Sequence, residues 1–122
     1  MPTMTTVFES HGRAVNVTVN NTIAKGDAAY INGFTGIAAD DVDSGDSLAL
    51  SIEQVEYQWF VGTSLSVSKG DVVYVTTASV TAEVIPQAAL ATTSGAGKKA
   101  LFKATEDRDS SGYVRGVMLP QS

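Results

Sequence analysis

Two acidic runs carry the residue types that hold metal ions. Asp107-Arg108-Asp109-Ser110-Ser111-Gly112 places side-chain oxygens at loop positions 1, 3 and 5 and glycine at position 6, as a calcium loop begins. Such a loop closes on a bidentate glutamate at its twelfth position, and that position here is Met118. Asp40-Asp41-Val42-Asp43-Ser44-Gly45-Asp46 is rich in carboxylates but has no recognised ligand spacing. Both runs read as solvated turns, so no metal ligand and no cofactor is expected. His11 is the sole histidine and could serve as base to one of the serines, yet no Gly-x-Ser-x-Gly elbow marks a nucleophile. The absence of cysteine excludes disulfides, zinc-thiolate sites and thiol nucleophiles. No phosphate-cradling loop and no dinucleotide fingerprint occurs. No catalytic residue is assigned, and enzyme activity is not expected.

Charge narrows the partners further. The 122 residues carry 13 acids against 8 bases, a formal charge of −5, which is the wrong sign for a phosphate-binding surface. No apolar run approaches the ~20 residues that span a membrane. The first seven residues lack the basic and apolar segments of a secretion signal. Neither nucleic acid nor membrane is an expected partner, and synthesis in a cytoplasm-like compartment is expected. Charge is also unevenly spread. Seven acids and no base lie between residues 26 and 68, whereas five bases against three acids follow from Lys98 onward. Unlike faces of this kind either stand in solvent or meet across a subunit boundary.

The elements that must position these residues are strands. Fifteen valines and thirteen threonines suit a pleated, half-buried surface. Residues 13–19 alternate, with Val15, Val17 and Val19 on one face and Asn16 and Thr18 on the other. One short pattern occurs three times, as Ile23-Ala24-Lys25-Gly26-Asp27, Val42-Asp43-Ser44-Gly45-Asp46 and Val67-Ser68-Lys69-Gly70-Asp71. Glycine accepts a positive φ and aspartate bonds nearby amides, so the reading is one turn used three times. Leu48, Leu50 and Ile52 are apolar at even positions, while Val55, Tyr57, Trp59 and Val61 are apolar at odd ones. A strand cannot change faces without an extra residue or a break, which predicts a bulge or sharp bend over residues 52–55. Residues 71–75 and 81–85 read as strands, Pro86 opens a short helical turn, and 98–105 pairs with 113–119. The expected fold is all-β, a small barrel or sandwich of seven to eight short strands over residues 13–122, preceded by an arm over residues 1–12.

The segments I-A-K-G-D (23–27), G-F-T-G-I-A-A-D-D-V-D-S-G-D (33–46), I-E-Q-V-E-Y (52–57) and V-S-K-G-D-V-V-Y (67–74) occur in an order that resembles the head decoration, or capsid cement, proteins of tailed phages. They fall between residues 23 and 74, a little under half of the chain. Gln54 stands where that family usually has glycine, and residues 76–98 follow no shared pattern. The resemblance implies a non-catalytic virion protein on the outer surface of the assembled head, bridging subunits of the major capsid protein. It also implies a homo-oligomer, most simply a trimer on a symmetry axis of the shell. The competing readings are another virion β domain (tail tube, head closure or fibre-associated) and a carbohydrate-binding module using Tyr57 and Trp59 as a platform. The apolar alternation around those two aromatics assigns them to the core instead.

The arm itself is a candidate contact. Met1, Pro2, Thr3, Met4, Thr5, Thr6, Val7 and Phe8 carry no charged side chain and suit an extended strand. Too little apolar surface is present to fold against its own domain, so the arm is expected to be mobile when free. These eight residues are the expected partner-binding residues, with Phe8 as their apolar anchor on the capsid or an adjacent subunit.

Overall fold

The alternating segments form strands, and the glycine-aspartate turns start or join them. In a computed structural model that describes residues 13–121, nine strands occur: β1 (Ala14–Thr18), β2 (Ala28–Ile31), β3 (Phe34–Ala38), β4 (Ser47–Ser51), β5 (Glu56–Phe60), β6 (Val72–Thr76), β7 (Leu90–Ala91), β8 (Lys98–Ala104) and β9 (Tyr113–Met118). All pairings between strands are antiparallel. They make a four-stranded sheet in the order β1-β4-β3-β2 and a five-stranded sheet in the order β5-β9-β8-β6-β7. The sheets do not close into a barrel, so the all-β fold is a sandwich.

The three turns share one construction. Gly26, Gly45 and Gly70 have φ of 90°, 91° and 93°, a region open to glycine at little cost. The aspartate that follows accepts the amide three residues earlier: Ala24 N–H to Asp27 at 3.0 Å, Asp43 N–H to Asp46 at 3.0 Å, Ser68 N–H to Asp71 at 2.9 Å. The glycine amides donate to the carbonyls of Ala38, Val19 and Ala104 respectively. Each turn is thereby tied to a strand of its own sheet or, for Val19, to the residue that follows one.

Turn and strand together repeat as a larger unit. β1 and β4 pair from Ala14↔Ser51 to Thr18↔Ser47, and β5 and β9 pair in the same way from Glu56↔Val117 to Phe60↔Tyr113. Ala38↔Leu50 of β3 and β4 corresponds to Ala104↔Gly116 of β8 and β9. Two apolar clusters result, and their members correspond: Val17 with Trp59, Val19 with Val61, Ile23 with Val67, Ala29 with Val73, Ile31 with Val75, Leu48 with Val114. The described chain is therefore two copies of one four-stranded plan, each around its own core. Ala28 and Ile37 of the first sheet pack against the second cluster and join the halves.

One connection breaks the correspondence. In the first half, β2 and β3 are joined by the tight turn Asn32-Gly33, both at positive φ, as a two-residue hairpin requires. In the second half, residues 77–97 intervene between β6 and β8, with short 3-10 turns at Thr77–Ser79 and Gln87–Ala89. This connection acts as a strap over two sheet edges. Tyr30 N–H donates to the Glu83 carbonyl at 2.8 Å and Ile85 N–H to the Ala28 carbonyl at 2.9 Å, which covers β2. β7 covers β6 through Tyr74↔Ala91 and Val75↔Leu90. Residues 81–85 are thus no strand, contrary to their alternation; they make a single bridge, Ala29↔Val84, because Glu83 turns to a φ of 68°. The change of apolar phase near residue 54 is a break, at which the chain leaves β4 of one sheet and enters β5 of the other. A register shift does occur, but in the β6–β8 pair between Val73 and Tyr74.

Candidate partner-binding surface

The acidic runs are committed to the backbone. Asp41 Oδ1 accepts Lys25 N–H at 2.8 Å, and Asp107 Oδ1 accepts Lys69 N–H at the same distance in the other half. Asp40 accepts Asp41 N–H, and Asp109 Oδ1 accepts the amides of Ser111 at 2.9 Å and Tyr113 at 3.0 Å. These carboxylates therefore brace turns, and among the described residues no group of three or more potential ligands converges. His11 and the arm residues Met1 to Phe8 lie outside the described residues.

Trp59 is a core residue. It is 5% exposed, stacks on Phe102 with ring centroids 4.5 Å apart and an interplanar angle of 7°, and donates its indole N–H to the Gly116 carbonyl at 2.9 Å. Tyr57 meets it edge-on at 5.5 Å and pairs its hydroxyl with Ser51 Oγ at 3.0 Å. The sugar platform imagined from these two aromatics is not available.

Two other aromatics stand in solvent. Phe60 is 49% and Tyr113 42% exposed, with their rings 5.0 Å apart across the β5–β9 pair. The corresponding positions of the first half are Thr18 and Ser47, both exposed. The same plan thus folds with small polar residues there, so folding does not require the aromatics. Alternation could have found Phe60, which shares its parity with Glu56 and Gln58 rather than with the buried Trp59. Val55, 44% exposed, adds apolar surface at the other end of the strand.

Beside this pair runs an unpaired sheet edge. Val61 N–H donates to the Gly112 carbonyl and Met118 N–H to the Val55 carbonyl, so the odd residues of β5 aim their backbone groups at β9. Glu56, Gln58 and Phe60 aim theirs away, and no described strand lies on that side. A groove of ≈340 Å³ follows Gln58 to Val61 and is lined further by Ala28, Ile37, Ile85 and Leu90. Among the described residues, its only ionisable lining residue is Asp27.

The halves also differ in charge. Residues 13–52 hold five carboxylates against two bases, whereas 55–76 and 98–119 together hold six bases against five carboxylates. One ion pair, Arg115–Glu106 at 3.9 Å between exposed groups, is seen among the described residues.

No curated protein and no solved structure matches the chain. A family model described as phage cement protein matches residues 9–119, a span that takes in both halves, the strap and the exposed aromatic pair. The chain belongs to the phage cement protein family.

Proposed function

We propose that this protein is a non-catalytic cement on the outer surface of the phage head, where it bridges neighbouring subunits of the major capsid protein. The observation that carries the reading is the Phe60–Tyr113 pair, which is apolar surface exposed at a position where the other half has Thr18 and Ser47. Exposed aromatics beside polar and basic neighbours such as Gln58 and Arg115 are the composition of protein–protein contact surfaces. Membership of the cement family supports an assembled head as the partner for such a surface. Many weak contacts on a symmetric shell add stability by mass action, with no chemical step. The oligomer on the shell is a trimer, seated where three capsid subunits meet.

Co-sedimentation with empty, expanded heads tests this directly. The native chain is expected to pellet with heads, and Phe60→Thr combined with Tyr113→Ser to bind at least tenfold more weakly while melting normally. A native chain that stays in the supernatant contradicts the reading.

A further inference from the structure

Among the described residues, the strap shields β2 and β6, and two longer strands are left bare on their outer side. β2 is covered by residues 83–85 and β6 by the two-residue β7, which itself ends that sheet as part of the strap, whereas the full-length strands β1 and β5 have no described neighbour on their outer side. Bare edges are templates for added strands, and proteins normally shield them. The edge of β1 is flanked by Ala14, Asn16 and Thr18, all exposed, and the lining residues of the ≈340 Å³ groove do not include them. The edge of β5 has the groove. A strand added there would bond the outward backbone groups of Glu56, Gln58 and Phe60. Its alternate side chains would enter a space lined by Ile37, Trp59, Ile85 and Leu90. Main-chain bonds with pockets for every second side chain are the mode of β-strand addition.

The lining also selects the strand. Among the described residues no base and only one carboxylate line the groove, so a charged insert would be desolvated with little to pair it. Residues 1–8 of this chain are free of charged side chains, and Met4, Thr6 and Phe8 share one side of an extended segment. Twelve residues precede Arg13, and an extended stretch of that length reaches roughly 40 Å. We infer that the edge of β5 receives the N-terminal arm of a second copy, with Phe8 and Met4 in the groove. An arm from each copy on the β5 edge of the next is a heterologous contact, which closes into a ring where the rotation between copies divides a full turn. The inference rests on the cement reading only in that copies sit side by side on a shell.

Its test needs no heads. Sedimentation of the full chain over a range of concentrations is expected to show reversible self-association. Removal of residues 1–8 should raise the dissociation constant at least tenfold. Gln58→Pro should do the same, because proline deletes the outward N–H of an edge strand while leaving the bonds to β9 in place. An unchanged melting temperature shows that either variant still folds. A synthetic peptide of residues 1–12 should dissociate the native oligomer and shift the emission of Trp59, which lines the groove. A full chain that stays monomeric, or one whose association survives both changes, overturns the inference. Head binding is scored separately: native protein that self-associates but ignores heads contradicts the cement reading and leaves the arm exchange standing.

Discussion

Glycine decides how each core closes, and it does so from opposite strands. In the first half Gly36 makes room for Leu50, whose Cγ would lie 2.7 Å from an added Cβ. In the second half the large residue is Phe102, at the position of Gly36, and the glycine is Gly116, at the position of Leu50. Gly116→Ala would drive a methyl group into the Phe102 ring and the carbonyl of Lys103. The expected cost is about 1–3 kcal/mol, the range for overpacking a filled core, and a denaturant midpoint equal to that of the native protein would contradict it. Gln121 acts on the other half. Its side chain accepts Thr35 N–H at 2.9 Å and donates to the Thr35 carbonyl at 2.7 Å, and Thr35 is 4% exposed. Gln121→Ala leaves those buried groups unpaired and should lower stability by about 1–3 kcal/mol. The acidic residues make a negative prediction at the same scale. Asp41, Asp107 and Asp109 already accept backbone amides, so millimolar calcium should leave the melting temperature where it was. A rise of several degrees would show that these carboxylates bind the ion in preference to the backbone.

Turns and strands were legible where their physics is local. A glycine-aspartate turn is settled within five residues, which is why three copies could be read from Ile23, Val42 and Val67 onward. Asp71→Ala should cost about 1 kcal/mol by removing the bond from Ser68 N–H, and thermal melting measures it. Trp59 was legible as core for the same reason, since parity along one strand suffices. Residues 81–85 were not. Their alternation resembles a strand, but Glu83 takes a positive φ while its carboxylate accepts Asn20 N–H at 2.7 Å and Asn21 Nδ2–H at 3.1 Å. Those partners lie more than sixty positions away, beyond any local pattern. The equivalence of Asp41 and Asp107 was hidden in the same way, because each braces a turn remote in sequence. Of the candidate surface, alternation held the signal for Phe60, while Tyr113 becomes its neighbour only through the β5–β9 register.

At the scale of the whole molecule, two similar halves have been given different surfaces. The first is acidic around its turns, and the second carries six of the eight bases, the exposed aromatics and the strand edge that borders the groove. If the acidic half of one copy faces the basic half of the next, assembly should weaken as salt shortens the Debye length below ~8 Å. Sedimentation across a salt series checks this, and indifference to salt would assign both faces to solvent. Heads scanned by calorimetry with and without saturating protein give the temperature at which the shell comes apart. The account predicts a higher disruption temperature with the protein bound, and a smaller rise for the Phe60→Thr, Tyr113→Ser variant at equal concentration. Heads that bind the native protein yet come apart at an unchanged temperature would contradict it.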